Sequence, residues 1–146
     1  MDLDTFLNRY SGGQRDFHGC SFRRINFKGL NLSLVNLSGC DLSGADLRGM
    51  NLNGANLSRA NLTNANLSHS DLRSANLSEA TLEGTNLTGT LLRRANLIGA
   101  DLKTANLSHA DLLGAELTQT QLSGDQLAGA RSPNVERDAR IVAPTR

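Results

Sequence analysis

The sequence predicts an all-β fold in which one chain coils around its own apolar core, each coil made of short extended segments joined by tight turns. Three observations predict it. Leu or Phe recurs at every fifth position from Phe17 to Leu127, 23 positions in a row, 20 Leu and 3 Phe, with no insertion. Asn or Asp usually stands one place before each of these anchors, and a small residue, most often Ala, two places before. Gly stands two places after the anchor in 12 of the 23 units, leaving only Gly12 and Gly13 elsewhere, so its use is positional and not that of a flexible linker.

A period of five suits neither regular element. In an α-helix each five-residue step rotates the anchor by about 140°, which spreads the leucines around the whole cylinder. In a flat strand, odd spacing sends successive leucines to opposite faces. A turn in every unit keeps them on one side.

Taken in order, residues 1–14 read as a helical cap. Leu3, Phe6, Leu7 and Tyr10 recur at i, i+3, i+4 and i+7, the apolar stripe of a helix over 2–10, with Asp2 as N-cap and Gly12-Gly13 as the stop. A solenoid exposes an apolar end, and a terminal cap covers it.

Residues 15–130 carry the repeat. Ala55-Asn56-Leu57-Ser58-Arg59, Ala60-Asn61-Leu62-Thr63-Asn64 and Ala75-Asn76-Leu77-Ser78-Glu79 show the motif A(D/N)LXX. This motif resembles that of the pentapeptide repeat proteins, including those of cyanobacteria. The resemblance implies a right-handed quadrilateral β-helix with four pentapeptides per coil. Residues 20 apart then stack in columns, such as Phe17, Leu37, Leu57, Leu77, Leu97 and Leu117. Nearly six coils at a rung spacing of about 4.8 Å make a rod roughly 28 Å tall. Ile25, Leu30, Val35 and Met50 replace the small residue near the three Phe anchors, so the first coils are expected to be more heavily filled. The Asn and Asp columns are expected to stabilise turns. A type II turn needs positive φ at its third residue, hence Gly or Asn. Gly39, Gly44, Gly49 and Gly54 favour type II; Arg59, His69, Ser74 and Glu79 favour type I. A mixed rod is therefore expected, with its type II part near residues 37–55.

The repeat decays over Asp125-Gln126-Leu127-Ala128. In the tail, 131–146, Ser132-Pro133 resembles a helix start and suggests a short second cap. A bare last rung would favour an end-to-end homodimer.

Composition excludes several classes. Net charge is +1 with the charges interspersed, and there is no Trp and one Tyr, so nucleic-acid binding has neither a basic tail nor stacking rings. No run reaches the roughly 20 apolar residues of a membrane span. Met1-Asp2-Leu3-Asp4 opens no secretory leader, so the expected compartment is cytoplasmic.

Candidate chemistry is sparse. Cys20 and Cys40 are 20 apart and fall in one inward column, about 5 Å between Cα atoms, within disulfide reach, although a cytoplasmic setting argues for reduced thiols. His18, His69 and His109 do not converge, and no Cys/His cluster has metal-ligand spacing. A leucine-filled core leaves no cavity for catalysis, so no enzyme, no cofactor and no metal are expected. Two outer features break the motif. Arg73, Arg93 and Arg94 fall on one face, and Leu91 replaces the usual Asn or Asp there, with Leu113 one coil on. Apolar side chains beside arginines suit a protein-binding patch. The expected function is a non-catalytic scaffold or regulator acting through protein–protein contacts with an unidentified partner. Similar proteins also include DNA mimics that bind gyrase, but those are strongly acidic. Here Asp41, Asp46, Asp71, Asp101 and Asp111 make no continuous stripe, which disfavours that role.

Overall fold

The repeat dictates its own ladder. In the computed structural model, which describes residues 1–27, 29–131 and 140–142, parallel bridges link residues 20 apart, from Asp16–Asn36 through Asn96–Glu116 and on to Asp111–Arg131. One coil is therefore 20 residues, or four five-residue units. The same bonding recurs along the rod: Leu57 N–H donates to the Asn76 carbonyl at 2.7 Å, and Asn76 N–H to the Ala55 carbonyl at 2.9 Å. Each segment is so short that it forms a bridge and not a long strand. The named strands are β1, Gln121–Ser123, and β2, Arg140–Val142, which pair in parallel with Gln121 opposite Arg140.

Every anchor from Phe17 to Leu122 is buried, and the alanines two places before them close the same core. Continuous burial at about 25 cal/mol per Å² holds together a chain whose mean hydropathy is only −0.32. Where a hydroxyl replaces Ala, it finds a carbonyl. Ser70, Thr90 and Thr120 donate to the carbonyls of Leu67, Leu87 and Leu117 at 2.6, 2.8 and 2.6 Å. A buried polar group is tolerated when it is bonded in this way.

The helix α1 spans Leu3–Ser11, one residue further on than the stripe suggests, and Asp2 caps it by accepting from Thr5 N–H at 2.7 Å. Its Phe6 is buried against Phe17, Phe22 and Phe27, with ring centroids 4.6, 5.4 and 5.2 Å away. Tyr10 donates to the Asn31 carbonyl and lies under the Arg15 guanidinium, 4.0 Å from the ring centre. The wide first coils are thus filled by aromatic rings that meet the lid.

The outer amides act within their own turns. Asn56 Oδ1 accepts from Ser58 N–H at 3.0 Å, and Asn66, Asn76 and Asn96 repeat the bond with the residue two places on. The turns themselves correct the mixed-rod expectation. Arg59, His69, Ser74 and Glu79 take φ of 58°, 59°, 58° and 57°, the same left-handed backbone as Gly39, Gly44, Gly49 and Gly54. Positive φ at the third residue alone is the type II pattern, and it runs through both regions. The ladder overrides local preference: Arg59 N–H donates to the Ser78 carbonyl at 2.9 Å, a bond that fixes the turn whatever its side chain.

Stacking between coils adds a constraint at several of these turn positions. The side chain of one coil lies over the matching position of the next. A Cβ on Gly89 would come within 2.6 Å of His69 Nδ1, and one on Gly54 within 2.7 Å of Leu34 Cδ2. At Gly54, Gly84, Gly89 and Gly129, glycine thus follows a longer side chain 20 residues earlier. Where two side chains do follow each other, as Arg59 and Glu79, they pair at 3.3 Å.

At the far end, Gly124–Leu127 forms a 3₁₀ turn in place of the usual one. The expected helix start at Ser132-Pro133 lies outside the described residues. Ile141 and Val142 lie in β2.

Candidate protein-binding face

The patch is assembled by the ladder. Leu72 N–H donates to the Leu91 carbonyl at 2.7 Å, Ser74 N–H to Arg93 at 2.9 Å, Leu92 N–H to Asp111 at 2.8 Å and Arg94 N–H to Leu113 at 3.1 Å. Arg73, Leu91, Arg93, Arg94 and Leu113 therefore share one side of three successive coils. Leu91 sits in the column Asp71–Leu91–Asp111–Arg131 and is 41% exposed. Arg73 and Arg93 are not free charges. Arg73 grips Asp71 in its own unit at 2.7 and 2.9 Å, and Arg93 Nε reaches Asp111 at 2.6 Å across the coils. Among the described residues Arg94 has no carboxylate within salt-bridge distance, and its stem lies over Gly114.

Arg131 and Asp111 belong to this face and were not singled out from the sequence. Arg131 Nη1 lies 4.0 Å from Asp111 Oδ2. The signal was the 20-residue step itself, which carries the column past the decayed repeat. Burial raises the Asp111 pKa, but the Arg93 bond, the Leu113 N–H and the charges of Arg93 and Arg131 outweigh it and hold the carboxyl below its usual range. Asp71 is held low mainly by the Arg73 side chain.

The disulfide considered for Cys20 and Cys40 is not formed. Both are free thiols, and Cys40 Sγ donates to the Phe17 carbonyl at 3.0 Å instead. Burial pushes the Cys40 thiol up to about 11, which keeps it protonated and unreactive. His18 lies beside Asp16 at 2.9 Å, apart from His69 and His109, and among the described residues no group of three His, Cys, Asp or Glu could hold a metal. Nor is any described helix long and apolar enough to cross a membrane.

The family model described as Pentapeptide repeats matches in overlapping segments from residue 16 to residue 124. The chain belongs to the pentapeptide repeat family. Solved pentapeptide repeat structures resemble it. The cyanobacterial protein Rfr23 from Cyanothece 51142 is 27% identical, with a TM-score of 0.51 over 97% of this chain and 100% of that one. The protein alr5209 from Nostoc Pcc 7120 is 28% identical, with a TM-score of 0.40 over 96% and 95%. QnrB1, a plasmid-mediated fluoroquinolone resistance protein, is 19% identical, with a TM-score of 0.45 over 86% and 79%. Comparison with curated proteins gave no match.

Proposed function

We propose that this pentapeptide repeat protein is a non-catalytic scaffold, a right-handed quadrilateral β-helix that engages another protein through the face bearing Arg73, Leu91, Arg93, Arg94 and Leu113. The observation that carries the reading is Leu91. It is a large apolar side chain, 41% exposed, where nearly every other unit has a polar residue, and Arg73, Arg93 and Arg94 lie on the same side of neighbouring coils. Arginine is enriched among the few residues that supply most of the energy in protein interfaces. The packed core supports a role without catalysis, since its inward positions are filled by alkyl and aromatic groups, the Cys40 thiol, and hydroxyls already bonded to carbonyls. A cytoplasmic setting fits the two free thiols.

The test is affinity capture from native extract with wild type and a Leu91→Asp/Arg94→Glu variant. These two residues are chosen because Arg93 and Arg73 also hold carboxylates of the rod. The expected result is a partner retained by wild type and lost from the variant at unchanged melting temperature. Equal capture by both would remove the patch from the account. The DNA-mimic reading remains disfavoured by the net charge of +1 and by arginines that neutralise Asp46, Asp71 and Asp111. Unaltered gyrase supercoiling in the presence of the protein is the expected outcome.

A further inference from the structure

On one side of the last coil the ladder between coils is open. On three sides of the last coil it holds: Leu97 N–H donates to the Glu116 carbonyl at 2.8 Å, Leu107 N–H to Gln126 at 2.9 Å and Leu112 N–H to Arg131 at 2.7 Å. On the remaining side the same pattern requires Leu102 N–H on the Gln121 carbonyl, Thr104 N–H on Ser123 and Gln121 N–H on Ala100. None of the three forms among the described residues, while Asp101 bridges Thr81 on its other edge. One coil earlier the equivalent bonds are intact, Leu82 N–H to Asp101 at 2.7 Å and Gly84 N–H to Lys103 at 3.0 Å.

The opening is held apart by named contacts. The 3₁₀ turn at Gly124–Leu127 replaces the left-handed turn, and Gln126 closes a capping box with Ser123, accepting from Ser123 N–H at 2.8 Å. The same Gln126 side chain donates to the Leu102 and Ala105 carbonyls at 2.7 and 3.0 Å, so a side chain stands where backbone would have paired. β1 meanwhile pairs with β2 in a 19-residue register. The result is a groove of about 650 Å³ between 99–104 and 119–126, rimmed by Asp101, Lys103, Gln119 and Gln121. That is within the range of roughly 300–1,000 Å³ typical of ligand clefts.

We propose that this groove binds an extended peptide segment of a partner protein, which supplies the missing rung by pairing its main chain with Leu102 and Thr104. This rests on the scaffold reading, though not on the arginine face. An unpaired strand edge is a template for another chain, and main-chain pairing is a recurrent mode of peptide capture. The rim carries amides, one carboxylate and one ammonium, so it selects a segment with polar side chains and not an apolar one.

The test uses the full chain, ¹⁵N-labelled. In the free protein, Leu102 and Thr104 amides should exchange at least tenfold faster than those of Leu82 and Gly84. The probe is an acetylated, amidated peptide copying residues 79–86, the segment that pairs with the other edge of 99–104. Its titration should shift and protect the Leu102 and Thr104 amides. A version N-methylated at alternate positions should bind about tenfold or more weakly, since it loses two or three backbone bonds. Gln121→Trp, at an exposed rim position, should abolish the shifts, and Leu91→Asp/Arg94→Glu should leave them unchanged. Protection of both amides in the free chain, by its own tail or by ladder closure, would overturn the proposal. So would an absence of shifts at millimolar peptide, or equal binding of the N-methylated peptide. A partner lost from the patch variant while the peptide still binds would separate the two surfaces.

Discussion

Single residues in this rod are held in backbone conformations they do not prefer. Eleven described residues other than Gly take positive φ, including Leu34 at 61° and Gln119 at 64°. Each costs roughly 1–2 kcal/mol in isolation, and the ladder bond of the turn offsets it. Replacing such a residue with Gly removes the strain but adds about 0.5–1 kcal/mol of unfolded-state entropy. Ser74→Gly is therefore expected to stabilise by up to about 1 kcal/mol, read as a higher urea midpoint at unchanged slope. A lower midpoint would mean that the Ser74 turn is not strained. This is also where the sequence was least legible. The anchors could be read from spacing alone, because burial leaves no other place for a leucine at every fifth position. Turn type could not be read from the occupants of the turn, because a preference of a kcal/mol or two yields to a bond made with a residue 19 positions away.

At the scale of elements, the helix and the coils meet through one ring. Phe6→Ala leaves a cavity among Phe17, Phe22 and Phe27 and is expected to cost about 3–5 kcal/mol, measured by chemical denaturation. The outward columns predict a response to acid. Hydrogen bonds from the Ser43 side chain and N–H hold Asp41 below the usual carboxylate range, the Arg73 side chain holds Asp71 there, and Asp111 stays low through Arg93 despite its burial. A carboxyl lowered in the folded state contributes stability that is present above its unfolded value of about 4 and lost as pH falls through the folded value. The urea midpoint should be flat from pH 7 to 5 and fall by pH 3. Asp41→Asn/Asp71→Asn keeps the turn acceptor without the titration, so its midpoint should fall less over the same range. The candidate face was legible as a grouping, since Arg73, Leu91, Arg93, Arg94 and Leu113 follow from the 20-residue step. Its charge balance was not read, although Asp46–Arg48 and Asp71–Arg73 are the same two-residue spacing, visible once each unit is taken by itself. The open side of the last coil left only a faint trace, Gln126 where Asn or Asp usually stands.

For the molecule as a whole, each coil touches only its neighbours, so stability is close to a sum of coils and the interfaces between them. Removing residues 56–75 deletes one full coil and leaves every remaining column in register. That variant is expected to fold with the same circular dichroism per residue and a lower melting temperature. Removing 56–58 instead breaks the phase of every later anchor, and the chain should lose cooperative unfolding. Equal behaviour of the two deletions would refute the 20-residue period.

The lid of α1 has one more effect. With Phe6 seated on the first coil, that terminus offers no open rung for a second molecule to extend. The rod has a direction: any end-on association would use the other end, and so would stop at a pair and not propagate into a filament.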